Sequence, residues 1–240
     1  ERKTWQGSAA ALNGRVRFPG SKFPIRRKDV TMKRSRLILS AAGALAVAGY
    51  MASSGLADIE NSLHNFSPFG WSKGRICLPC HTPHHADTSV VAPLWNHALT
   101  TANNYILFGG DAGGVEDLDE RSVLCMSCHD GTVALDSFGG NNGAQYIGGA
   151  GLIGTDLSDD HPVGGTAVYP LGVSWMRDPA EWENTPRGFE LHEWTDPDTN
   201  EVFDVVSCYT CHEPHKRGGN EHMLWVNNAG SALCLTCHIK

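Results

Sequence analysis

Hydrophobic and polar positions divide the chain into unlike stretches. Residues 1–31 are basic and show no sustained apolar periodicity. At Met32 the pattern changes to Met-Lys-Arg-Ser-Arg, followed by an apolar run from Leu37 to Ala52 and then Gly55-Leu56-Ala57 before Asp58. A positive segment, an apolar centre and a small-x-small ending read together as a secretory signal peptide over 32–57. Cleavage is expected after Ala57, with 1–31 as upstream, non-native translation. Sixteen mildly apolar residues containing Ser and Gly span a bilayer poorly, so no stable membrane anchor is expected. Further on, Phe189-Glu-Leu-His-Glu-Trp194 and Glu201-Val-Phe-Asp-Val-Val206 alternate around Asp196-Pro-Asp-Thr-Asn200, which predicts a β-hairpin. Residues 109–114 and 139–154 are glycine-rich and predict turns and close backbone approach.

Composition sharpens this picture. The chain has 240 residues, 41% hydrophobic, with 27 glycines and only 8% aromatics, so an ordinary dense core is not expected. Its formal charge is −7. Loss of residues 1–57 removes 11 of 19 basic side chains but 2 of 26 acidic ones, leaving an exported chain at −16. Such a balance excludes nucleic-acid binding by bulk electrostatics.

The eight cysteines carry the chemistry. They form Cys77-Leu-Pro-Cys80-His81, Cys125-Met-Ser-Cys128-His129, Cys208-Tyr-Thr-Cys211-His212 and Cys234-Leu-Thr-Cys237-His238. Cys-x-x-Cys-His is the attachment signature of c-type haem. Its two thiols reach the two vinyl groups of one porphyrin, and the histidine that follows becomes the proximal iron ligand. Disulfides would not demand a histidine after every second cysteine, and tetrahedral zinc sites would leave four histidines surplus. Four covalently bound haem c groups are therefore expected, with His81, His129, His212 and His238 proximal.

Eight further histidines remain, enough for every iron to be six-coordinate. An internal repeat ranks them: a lone histidine, a Cys-x-x-Cys-His-x-Pro-His, a Leu-Trp segment and a second Cys-x-x-Cys-His occur twice in the same order. This predicts two two-haem modules, 58–138 and 161–240, joined by a glycine-rich connector, 139–160. His84 and His215 lie three residues after a proximal histidine, on the same side of a turn, so each should reach a neighbouring haem. His64 and His161 match each other in the repeat, and His97 competes with them, which makes five distal candidates for four places. His85, His192 and His222 have no repeat partner and are expected at the surface. Asp196, Asp198 and Asn200 alternate as in a calcium loop, but the central glycine and closing glutamate are missing, so calcium is not favoured. With one haem per about 46 residues, the expected fold is a multihaem cytochrome c. It would be mostly irregular coil, with short helices flanking the motifs and a β-hairpin, wrapped around four closely packed haems.

Cys80-His-Thr-Pro-His84, Ala92-Pro-Leu-Trp-Asn-His97, Leu124-Cys-Met-Ser-Cys-His-Asp-Gly-Thr-Val-Ala134, Asp159-Asp-His-Pro-Val163 and Leu233-Cys-Leu-Thr-Cys-His238 resemble the doubled Cys-x-x-Cys-His cytochromes. Among these the chain resembles the tetrahaem extracellular filament cytochromes of the OmcE type, over about His64 to His238. The resemblance implies a subunit that polymerises head to tail into a conducting nanowire. It also implies a histidine near the mature N-terminus ligating a haem of the adjoining subunit, a role His64 is placed to fill.

The leading expectation is thus a secreted, extracellular or cell-surface electron carrier. Its partners would be further copies of itself, redox proteins or extracellular electron acceptors. A soluble periplasmic shuttle with the same four haems is the alternative. A multihaem reductase would need an iron with an open position and is not favoured among so many histidines.

Overall fold

Glycine and proline turns confine regular structure to short pieces, and each of the three α-helices among the described residues carries a cysteine motif. The computed structural model describes residues 58–183 and 185–240; the expected upstream segment 1–31 and signal peptide 32–57 lie outside the described residues. The longest helix, α1, spans Glu120–His129 and starts where the Asp119 carboxylate accepts the amides of Arg121 and Ser122, both at 3.1 Å. Helix α2 spans Cys208–Cys211 behind the Ser207 cap, and α3 spans Ala232–Cys237. Side-chain oxygens at helix N-termini satisfy amides that have no intrahelical partner, which is why two of these helices begin at Asp and Ser. The helices therefore contain the second, third and fourth motifs instead of flanking them. The first motif forms a turn.

Two small antiparallel sheets complete the regular structure. Strands β1 (Tyr105–Ile106) and β2 (Ala112–Gly113) pair around the first glycine-rich turn. The hairpin expected over 189–206 is present with shorter strands, β3 (His192–Thr195) and β4 (Val202–Val205), in the register His192↔Val205 to Thr195↔Val202. Its turn is closed by Asp196, whose carboxylate accepts the amides of Asp198 at 2.8 Å and Thr199 at 3.2 Å. The remainder is coil and single 3₁₀ turns. Among the described residues no helix is long and apolar enough to cross a membrane.

Conventional packing is thin. Tyr105, Leu107, Leu118, Met126 and Leu157 form one cluster, and Ala167, Tyr169 and Val206 another. Fifteen buried hydrophobic residues stand beside eleven buried polar ones among the described residues, so polar contacts carry much of the architecture. One buried polar knot joins α1 to α2. Ser122 Oγ donates to Asp119, accepts the amide of Cys208 at 3.1 Å and lies 3.3 Å from Ser207 Oγ. Gly164 closes the same junction: its amide donates to Val206 O, and its φ is +63°. A Cβ there would fall 2.4 Å from Asp117 O, so the chain can pass only as glycine.

The internal repeat is visible in the backbone, with a register the sequence pattern misses by one residue. In the first unit Thr82 N donates to Leu94 O, and Asn96 N donates to Cys80 O; in the second, Glu213 N donates to Met223 O, and Trp225 N donates to Cys211 O. His85 and Lys216 share the left-handed conformation, as do Leu94 and Met223. Trp95 is thus equivalent to Leu224, and Asn96 to Trp225. Matching the two Leu-Trp pairs gives the wrong equivalence, because hydrogen bonds to the motif carbonyls set the register and the indoles do not.

Candidate functional site

Each cysteine motif is a single helical turn. His81, His212 and His238 donate their amides to Cys77, Cys208 and Cys234 at 2.8, 3.0 and 2.9 Å, and the motif ending in His129 lies within α1. An i to i+4 bond of this kind places the first thiol and the imidazole on one face, one turn apart.

The histidine rings are oriented through Nδ1. His81 Nδ1 donates to Pro93 O at 2.8 Å, His129 to Gly151 O at 2.7 Å, and His212 to His222 O at 2.9 Å. His64 donates to Pro214 O at 3.2 Å and His161 to Pro162 O at 2.9 Å. A carbonyl only accepts, so each Nδ1 carries the proton and Nε2 keeps its lone pair, the tautomer a metal-ligating imidazole needs. Burial, reinforced by the neighbouring His129, holds the pKa of His64 down at about 4, which keeps the ring neutral.

Three pairs of rings face one another. His81 and His215 have centroids 6.1 Å apart and planes 19° from parallel; His64 and His129 are 6.2 Å apart at 49°; His161 and His238 are 6.4 Å apart at 68°. With a metal–nitrogen bond of about 2 Å and the ring centre about 1 Å beyond it, two imidazoles on opposite sides of one ion lie about 6 Å apart. Among the described residues no group of three His, Cys, Asp or Glu side chains converges as a metal site. Histidines meeting in twos suit an iron already held by four porphyrin nitrogens.

The other histidines are placed differently. Among the described residues no ring faces His212 in this way. His84 is exposed beside an open cleft of about 420 Å³ shared with Leu78, Asn96 and Phe138. His97 is buried, with Nδ1 2.7 Å from Ala98 O and Nε2 3.1 Å from Ala134 O, so neither nitrogen faces open space. His85 and His222 are exposed, as expected. His192 is not: it is buried on β3 against the Tyr209 ring, 5.5 Å away, because the hairpin turns that face inward. His64 is held by its own chain. Lys216 Nζ donates to Asn61 O at 2.7 Å and pairs with Asp58 at 3.4 Å, which seats residues 58–64 on the turn after the third motif.

The cysteines run as a connected series. Burial pushes the Cys80 thiol up to about 11, and burial with Cys80 as a neighbour pushes Cys128 up to about 12. The Cys125 and Cys208 thiols are close neighbours, and that proximity, with burial, raises Cys125 well above the usual thiol range while Cys208 is lowered. Burial, with Cys237 as the strongest neighbour, pushes Cys211 to about 12. The motifs thus neighbour one another in chain order. At neutral pH the raised thiols of Cys80, Cys125, Cys128 and Cys211 stay protonated and are not reactive thiolates.

Three features bear on whether haem fits. Trp95 Nε1, Trp182 Nε1 and His192 Nε2 are buried without a protein partner, and each lies beside a motif: Trp95 next to His81, Trp182 in the cluster containing Cys237, His192 against Tyr209. Leaving such a group unsatisfied costs about 1–3 kcal/mol, so a group bringing its own carboxylates is accommodated there. The thin core and the facing imidazoles agree with that reading. One residue that the motif search missed is Glu213, fully buried and bound to His215. Its signal in the sequence is the difference between His-Glu-Pro-His and His-Thr-Pro-His in the two repeats.

Residues 201–240 match the family described as Doubled CXXCH motif, which covers the third and fourth motifs. No curated protein matches the chain. The doubled motif supports a multihaem c-type cytochrome with covalently bound haem c, involved in electron transfer. Its few short helices, two small sheets and extensive coil are consistent with that class.

Proposed function

We propose that this protein is an exported tetrahaem electron carrier acting as the polymerising subunit of an extracellular cytochrome filament, with His84 serving a second copy of the chain. When bound, haem supplies an iron that gains and loses one electron. Cys77 and Cys80, Cys125 and Cys128, Cys208 and Cys211, and Cys234 and Cys237 hold the four groups. His81/His215, His129/His64 and His238/His161 would each hold one iron as a pair, with carbonyls on Nδ1 orienting His64, His81, His129 and His161 and the Glu213 carboxylate orienting His215.

The observation that carries the polymer is an odd one out on each side: His212 has no facing ring among the described residues, and His84 is exposed and faces none. The repeat supplies the connection. In each unit the lone histidine, His64 or His161, faces the proximal histidine of the second motif. The His-x-Pro-His histidine of the second unit, His215, faces the first motif of the first unit. Carried one unit back, the same relation directs His84 to His212 of a preceding copy. This replaces His64 as the residue crossing the interface. A heterologous contact of that kind repeats without closing and builds a fibre.

Electron microscopy of the native secreted fraction, with haem-stained gels, tests the reading. Thin filaments carrying this chain are expected, and His84→Ala should abolish them while leaving haemylated monomer with one high-spin haem in four. Native monomers with four low-spin haems would overturn the polymer and leave a soluble periplasmic shuttle. A native high-spin haem that persists in filaments would favour a multihaem reductase.

A further inference from the structure

The histidines of these turns are not equivalent in what holds Nδ1. His64, His81, His129, His161 and His212 each donate to a neutral backbone carbonyl. His215 alone donates to a carboxylate, Glu213 Oε1, at 2.9 Å. That carboxylate has no exposed surface. Its second oxygen accepts the amide of Arg217 at 2.5 Å, and the Arg217 guanidinium lies 3.2 Å from Oε1. The guanidinium is half-exposed and stacked over Trp225, 5.1 Å from its ring, so it faces water on one side while Glu213 does not.

A buried carboxylate draws the Nδ1 proton more strongly than a carbonyl does, and it makes Nε2 a better electron donor. More donation, together with a fixed negative charge in a poorly solvated place, favours the oxidised iron. The equivalent position in the first unit is Thr82. Its hydroxyl, bonded to the backbone of His84, carries no charge. The two repeat units therefore share a backbone and differ in charge at the residue that adjusts the distal ligand.

We propose that Glu213 is a positioning and potential-setting residue for the iron held by His81 and His215, making it the lowest-potential of the four centres and giving the otherwise repeated haem series a direction. This rests on His81 and His215 being an axial pair.

The test is spectroelectrochemical titration of the intact tetrahaem protein with Glu213→Gln, which keeps an acceptor for Nδ1 but removes the charge. The lowest of the four midpoints should move upward while the other three stay, and all haems should remain low-spin. Arg217→Gln leaves Glu213 uncompensated and should move the same midpoint downward, which also tests the proposal if Glu213→Gln fails to mature. Unmoved midpoints, or four moving together, would overturn it. His215→Ala separates the two levels of the argument: one high-spin haem confirms the axial pair whatever Glu213 does, and an unchanged spectrum removes the pair itself.

Discussion

The hydroxyl of Ser122 accepts the amide of Cys208 at 3.1 Å, although the two residues lie 86 apart in the chain. Ser122 sits in the first turn of one motif-bearing helix, and Cys208 opens another. Through this bond the second and third motifs share one buried anchor, and their Cys125 and Cys208 thiols come into contact. The distance between the two middle sites is thus set by a serine that belongs to neither motif.

Ser122→Ala should destabilise the holoprotein by about 1–3 kcal/mol, because it strands a buried amide and deprives Asp119 of a donor. Denaturant unfolding checks this. An unchanged midpoint would mean the covalent haems, not the polar knot, hold the two helices together.

Gly164→Ala should cost a similar amount, about 1–3 kcal/mol, for a different reason. The new methyl would collide with Asp117 O at 2.4 Å, at a φ of +63° that side chains resist. Loss of yield or a lower melting temperature is expected, with the visible spectrum of surviving protein unaltered.

The ligand pairs make a graded prediction. His64→Ala and His161→Ala should each convert one of four haems to high spin and open it to carbon monoxide. His97→Ala should convert none, since both its nitrogens already lie on carbonyls. A carbon monoxide complex in His97→Ala would return that residue to the set of ligands.

Ring orientation predicts the low-spin signals. Nearly parallel imidazoles split the iron d-orbitals more than crossed ones, so His81/His215 at 19° should give the most rhombic electron paramagnetic resonance spectrum. His161/His238 at 68° should give the most anisotropic. Deleting His215 should remove the rhombic signal first.

Much of this was legible in the residues, and the exceptions share a cause. The hairpin followed from alternation around Asp196 and Asn200, and the motif turns from their spacing. The helices around the motifs were misplaced because the Asp119 cap starts one that runs through Cys125 to His129 and the Ser207 cap starts another at Cys208 itself. His192 passed for a surface residue because only the packed hairpin shows which face is inward. The Leu-Trp match misled because the repeat is held by backbone hydrogen bonds, which leave no trace in side-chain identity.

By itself the sequence determined the motif chemistry: four Cys-x-x-Cys-His runs and a surplus of further imidazoles. Those are local properties, set by residues within five positions of one another. Only the tertiary structure decided which imidazole meets which. His64 faces His129 across 65 residues, and His215 faces His81 across 134. Pairing across such distances depends on where turns, caps and buried polar bonds carry the chain. That left His84 and His212 without a facing ring in the same chain among the described residues, and it buried the Glu213 carboxylate that binds the neighbouring His215.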